Sequence, residues 1–220
     1  MQIIWQINAD DVRKVKAFFE HFRDDPIVKR RFEKNLNPTK QSITKADYWY
    51  NLLICLLTTQ QRSGPKSAVT RFINTKPFPL NYQACIAQEN LSGYAREVMS
   101  EAGGIRRSNI IAEEIELNLS LLETGLWERI FELINELSIK QTAQLERKTA
   151  HFISRKFKGL GPKQSRNLLQ LLGLTKYEIP VDSRIVKWLN EFGFPVKLSA
   201  TALSDHNYYD FVLDLKTPQK

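Results

Sequence analysis

"KFKGLGPKQSRN", residues 156–167, sets two glycines and a proline among cations. On either side, "AQLERKTAHFISRKF" (143–157) and "KQSRNLLQLLG" (163–173) place apolar residues three and four positions apart, the spacing that lines one face of an α-helix. Only "KGLGP" separates them, so two helices must reverse direction within a few residues. Gly159 and Gly161 permit the backbone angles of such a reversal, and Pro162 suits the first position of the second helix, where a missing N–H is no loss. The turn leaves loop and helix-end amides pointing outward, a natural seat for a phosphate. With Lys158, Lys163 and Arg166 around it, nucleic acid fits that seat better than a small anion. A tight helical hairpin with a solvated basic face accounts for the same residues without any ligand.

Working outward, helical spacing recurs in "DDVRKVKAFFEHF", "KADYWYNLLICLLTT", "SAVTRFI", "SGYAREVMSEAG", "SNIIAEEIELNL", "LWERIFELINEL" and "DSRIVKWLNEFG". Asp10, Thr44, Ser63 and Asp182 read as N-caps, and Gly173 and Gly193 as left-handed C-caps. The best strand signal, "MQIIWQI" at the start, has no evident pairing partner, and the two prolines of "NTKPFPLNY" (74–82) mark the clearest break between helices. The pattern predicts an all-α protein of roughly nine or ten short helices.

Composition narrows the function classes. The 220 residues and 42% hydrophobic content allow a proper core. No apolar run approaches the roughly 20 residues needed to cross a bilayer, and the N-terminus lacks the features of a secretion signal. An intracellular, membrane-free monomer is expected, cytoplasmic or nucleoid-associated in a prokaryote. Two cysteines, Cys55 and Cys85, and three scattered histidines support neither a zinc site nor a four-cysteine iron–sulfur cluster. No metal or cofactor is expected, and Cys55 within "LLICLL" reads as a buried small hydrophobe. The net charge of +8 suggests an anionic partner. From Arg147 to Tyr177 there are eight Lys/Arg and no acid, whereas Glu113 to Glu136 holds seven acids against Arg129 alone. One region is polarised toward phosphate and the other away from it.

"FKGLGPKQSRNLLQLLG" followed by "IPVDSRIVKWL" resembles the helix-hairpin-helix superfamily of DNA base-excision glycosylases. The resemblance implies an all-α fold of two helical subdomains with the active site in the cleft between them. It places a central bundle at 44–140, and a second subdomain over 1–43 and 141–220 that carries the hairpin (141–173) and an aspartate loop (174–194). In the bifunctional branch a hairpin lysine falls at Lys163 and an aspartate at Asp182, nineteen residues later. Lys163 would attack the sugar C1′ of a flipped nucleotide and form a Schiff base. Asp182 would stabilise positive charge on the sugar or help deprotonate the amine, beside its plain role as an N-cap. "YNLLICLLTTQQRSGPKSAVTRF" is similar to the early buried helix and its following loop, with Gln60 filling the gap in the duplex and Gln61 and Arg62 beside the estranged base. "MSEAGGIRRSNIIAEEI" is similar to a further glycine turn, whose Arg106 and Arg107 would meet the DNA backbone. The hairpin itself would hold DNA through Lys158, Gly159, Gly161 and Arg166.

The chain departs from endonuclease III and adenine-mismatch relatives, which usually carry a C-terminal four-cysteine cluster. Its lysine and lack of a cluster favour 8-oxoguanine glycosylases, the compact archaeal-type branch being nearest in size. The expected partner is therefore double-stranded DNA with a damaged base. The resemblance also leads one to expect that the C-terminal helix gripping the base is short or missing, since 38 residues follow Asp182. Trp188, Phe192, Phe194, Tyr208 and Tyr209 are aromatics that stack on a base or fill the core. A non-catalytic DNA-binding hairpin module, a monofunctional glycosylase and a plain helical scaffold remain alternatives on these residues.

Overall fold

Polar side chains at the helix starts set the architecture. The computed structural model describes residues 7–36 and 42–214, and no strand occurs among them. In chain order the helices are α1 (Ala9–Phe22), α2 (Pro26–Leu36), α3 (Lys45–Leu57), α4 (Ala68–Ile73), α5 (Tyr82–Ile86) and α6 (Leu91–Ala102). They continue with α7 (Ser108–Leu121), α8 (Trp127–Ile139), α9 (Ala143–Lys156), α10 (Pro162–Leu172), α11 (Ser183–Phe192) and α12 (His206–Asp214). The all-α expectation holds, with more helices than the periodicity alone reveals. Short α5, proline-initiated α2 and α12 carry too few periodic apolar positions to stand out. The segment "MQIIWQI" lies outside the described residues except for Ile7.

At the start of α3, the Thr44 hydroxyl accepts from Asp47 N at 3.1 Å and the Asp47 carboxylate accepts from Thr44 N at 2.9 Å, a reciprocal cap worth about 1 kcal/mol. Asp182 caps α11 one-way, its carboxylate accepting from the Arg184 and Ile185 amides. Two other starts differ from the expected caps. Asn8, not Asp10, caps α1, leaving Asp10 to pair with Arg13 in the first turn. Ser67, not Ser63, caps α4, and the Ser63 carbonyl instead accepts from the Thr70 hydroxyl at 3.1 Å. Gly173 and Gly193 end α10 and α11 with φ of 77° and 94°.

Helix α3 is the spine. Tyr48, Trp49, Leu52, Leu53, Leu56 and Leu57 are each at most 1% exposed, and burying each such side chain contributes on the order of 1.5–3 kcal/mol. The apolar cluster around them takes in α4 to α8 and extends through Ile153, Leu160, Leu168 and Leu172 into α9 and α10. A smaller cluster, Val181, Val186, Leu198, Leu203, Tyr209 and Val212, unites α11 with α12. The candidate residues meet where the start of α10, a helix of the larger cluster, faces the start of α11, a helix of the smaller one. Among the described residues no helix is long and apolar enough to cross a membrane.

Candidate active site

The hairpin turn joining α9 to α10 is held from behind by α7. Asn118, fully buried, accepts from Lys158 N at 2.8 Å and donates to Lys158 O at 3.0 Å. Gly159 follows at φ +78°, where a Cβ would stand 2.5 Å from Glu114 Oε2 and 2.6 Å from Leu56 Cδ2. Only glycine satisfies both demands. Gly161 is different: its φ is −78° and a Cβ there would meet nothing within 4 Å. Of the two glycines, only Gly159 supplies conformational freedom, and Gly161 instead leaves open space at the start of α10. Gly161 gives that helix no side-chain cap and Pro162 occupies its first turn, so first-turn amides and the positive helix end face outward.

Lys163 follows directly. Its Nζ lies 3.9 Å from Asp182 Oδ2, with the lysine side chain 40% exposed and the aspartate 16%. That separation is an ion-pair distance, too long for a hydrogen bond. Asp182 Oδ1 accepts from Arg184 N at 2.9 Å and Ile185 N at 3.2 Å, and Oδ2 accepts from the Arg184 guanidinium at 2.7 Å. Burial pushes the Asp182 pKa up, but the Arg184 side chain, the Ile185 amide and the Arg184 charge outweigh it and hold the group below the ordinary carboxylate value. A carboxylate kept ionised beside an amine is arranged to stabilise positive charge.

Lys163 and Asp182 form one wall of a groove of about 950 Å³, whose opposite wall is the loop after α3. Thr58 and Thr59 begin that loop by donating to the carbonyls of Ile54 and Cys55, both at 2.7 Å, and Gln60 turns it with φ +54°. A left-handed conformation away from glycine costs about 1–2 kcal/mol. Gln60 and Arg62 are exposed on the rim. Gln61 is engaged at both ends, donating to Leu57 O at 2.5 Å and accepting from Arg106 N at 2.8 Å. It pins the loop to the turn before α7 and is not free to meet a base. Arg106 is exposed; Arg107, at φ +61°, pairs with Glu114 at 3.5 Å and is half-buried. Arg107 lines a further recess of about 650 Å³ that Gly161, Lys163 and Asp182 also line.

Arg166 requires a correction. Expected at the DNA surface, it is fully buried, its guanidinium donating to Glu178 and Asp210, both at 2.7 Å, and to Pro162 O at 3.0 Å. No phosphate can reach it. Tyr209, one of the aromatics offered as a base-stacking surface, is equally buried beneath Arg166, with the guanidinium carbon 4.3 Å from its ring centroid. Burial raises the Tyr209 hydroxyl pKa to about 12. Trp188 stacks on Phe192 and tilts against Phe18, and the Tyr208 hydroxyl accepts from Ser199 N. Phe194 packs against the smaller apolar cluster. Cys55 is buried as expected, and burial raises its thiol pKa to about 12.

Sequence reasoning missed the polar scaffold behind the site. Glu146 on α9, fully buried, accepts from the backbone amides of Lys176, Tyr177 and Glu178 at 2.8–2.9 Å and from the Thr175 hydroxyl at 2.7 Å. Arg147 reaches Glu178 at 2.9 Å and Asp214 at 2.8 Å. One signal was visible: the acid-free run from Arg147 to Tyr177 is bounded by Glu146 and Glu178, the two carboxylates this scaffold buries. Beyond α11 the described residues carry one further α-helix, the nine residues of α12.

Among solved structures, the crystal structure of Methanocaldococcus jannaschii 8-oxoguanine DNA glycosylase matches this chain with a TM-score of 0.59 and 20% sequence identity, covering 91% of this chain and 80% of that one. No protein-family model and no curated protein matches. The likeness establishes the fold: the chain has the all-α architecture of that helical DNA glycosylase.

Proposed function

We propose that the chain is a DNA glycosylase with abasic-site lyase activity, acting on duplex DNA that carries an oxidised purine, foremost 8-oxoguanine. The observation that carries this reading is the Lys163 amine 3.9 Å from the Asp182 carboxylate, at a groove of about 950 Å³ rimmed by Gln60, Arg62 and Lys66. The bundle over 44–140 supplies the loop wall of this cleft, and the hairpin-bearing segments supply the lysine wall. The substrate of the structural neighbour points to the same lesion.

A base inside a duplex is out of reach, so the nucleotide must swing out, with Gln60 at the tip of the left-handed turn filling the gap. The first-turn amides of α10 and the Lys158 side chain receive phosphate. Neutral Lys163 Nζ then bonds to C1′. The C1′–N bond to the base breaks, its electron pair leaves with the base, and the base takes up a proton. Asp182, held ionised, stabilises the cationic sugar, which is the role its lowered pKa favours over proton acceptance. As the C1′–O4′ bond opens, its electron pair stays on O4′, which takes up the proton that the Lys163 nitrogen gives up, and the C1′=N bond left on Lys163 is the Schiff base. Loss of a C2′ proton expels the 3′ phosphate and nicks the strand, and water then frees the lysine.

Borohydride trapping on duplexes carrying 8-oxoguanine, uracil, thymine glycol or an abasic site tests this directly. A covalent adduct is expected with wild type and absent with Lys163→Gln, strongest on the 8-oxoguanine or abasic duplex. Binding without any adduct would leave a monofunctional glycosylase or a plain DNA-binding module.

A further inference from the structure

Lys163 and Asp182 sit on different segments, 3.9 Å apart, at an ion-pair distance with no direct hydrogen bond between them. Each is preceded by an anchored backbone position, Pro162 immediately before the lysine and Val181 immediately before the aspartate. Pro162 O accepts from Arg166 Nη1 at 3.0 Å. The amide of Val181 donates to the Tyr209 hydroxyl at 2.5 Å, and that hydroxyl donates in turn to Ile179 O at 3.0 Å. The two anchors touch each other, because the Arg166 guanidinium carbon lies over the Tyr209 ring, 4.3 Å from its centroid. Glu178 and Asp210 fix the remaining edges of the guanidinium at 2.7 Å each. Arg166 itself has no exposed surface.

We propose that Arg166 and Tyr209 form a single positioning unit that sets the distance between the Lys163 amine and the Asp182 carboxylate. The inference rests on the glycosylase/lyase reading of those two residues. The chemistry of the unit explains its residue types. A planar guanidinium can bond a carbonyl, two carboxylates and an aromatic face at once, which an ammonium cannot. A phenol that accepts from the Val181 amide and donates to the Ile179 carbonyl holds residues 179–181 at two backbone points. Both side chains are buried behind the groove, so neither is a catalytic residue. Their effect passes entirely through where Pro162 and Val181 place their neighbours, and a displacement of about 1 Å at a reacting centre is enough to slow a reaction about 10²-fold.

Tyr209→Phe is the decisive variant, since it keeps the ring over Arg166 and removes only the hydroxyl. Arg166→Lys, which keeps the charge but loses the fork, accompanies it. The measurement is the single-turnover rate of borohydride-trappable adduct per active molecule on an abasic-site duplex, together with the affinity for the same duplex. The expected result for Tyr209→Phe is a fall of about tenfold to a hundredfold in rate, with affinity unchanged within about twofold and faster exchange of the Val181 amide. Arg166→Lys is expected to lose at least as much. A merely structural role would lower the melting temperature while leaving the rate per active molecule intact, and that outcome overturns the proposal. So does a parallel loss of affinity and rate. Absence of a Lys163-dependent adduct in wild type is a separate result, which overturns the underlying reading and this proposal with it.

Discussion

Glu146 is a carboxylate with no exposed surface, and it is surrounded by donors: three consecutive backbone amides and the Thr175 hydroxyl. Such an arrangement stabilises an anion locally and fixes the chain that supplies the amides. Glu146→Gln replaces one accepting oxygen by an NH₂ that faces donors, leaving at least one amide unsatisfied. A loss of about 1–3 kcal/mol is expected, read by thermal denaturation as a melting temperature lower by about 2–4 °C per kcal/mol. An unchanged melting temperature would show that the 175–178 segment is held by something else. Gly159 poses the opposite kind of test. Alanine there must adopt a left-handed backbone, at about 1–2 kcal/mol, and overlap Glu114 and Leu56, at about 1–3 kcal/mol more. Gly161→Ala, at an ordinary backbone angle with open space beside it, is expected to be far milder in the same denaturation experiment.

At the scale of elements, α12 is docked by a polar seam as well as by Tyr209 and Val212. His206 at its start meets Ser154 at 3.1 Å and the edge of the His151 ring at 4.9 Å between centroids, and Asp210 one turn on meets His151 at 2.9 Å. Burial lowers the His206 pKa first, and the nearby charges of His151, Arg166 and Arg155 lower it further against the opposing pull of Asp210. The sign follows: the folded state favours neutral His206, so its contribution is complete above the unfolded value near 6.5 and is lost as pH falls through the lower, folded value. Wild-type stability is therefore expected to decline on acidification below about pH 6.5, with α12 amides exchanging first. His206→Asn should flatten that part of the decline; an identical decline in the variant would move the cause elsewhere. None of this seam was legible in the sequence. Its partners are 52 and 59 residues apart, and periodicity reads only neighbours within a turn or two. The hairpin was legible for the converse reason, because a glycine at φ +78°, a proline in the first turn and a capping aspartate are local demands met by local residues.

For the molecule as a whole, the sequence shows where cations are concentrated but not which of them face solvent. The eight Lys/Arg of 147–177 look equivalent on paper, yet Arg166 and Arg147 are consumed by Glu178, Asp210 and Asp214. Lys158 is exposed at the hairpin, and Arg62 stands exposed on the opposite rim of the groove. Within the acidic stretch 113–136, Arg129 is paired with Glu132 at 2.7 Å and lies near Glu136 at 3.9 Å, away from the groove. If DNA lies across the groove, its phosphates displace counterions at Lys158 and Arg62 but not at Arg129. Each neutralised phosphate contributes about 0.9 to the slope of log affinity against log salt. Lys158→Gln and Arg62→Gln are each expected to lower that slope by about 0.9, measured by fluorescence anisotropy on an abasic-site duplex across a salt series. Arg129→Gln carries the same change in net charge and is expected to leave the slope where it was. Equal reductions from all three would mean that the excess of eight positive charges acts as a diffuse field, and the groove would lose its claim to be the DNA-binding surface.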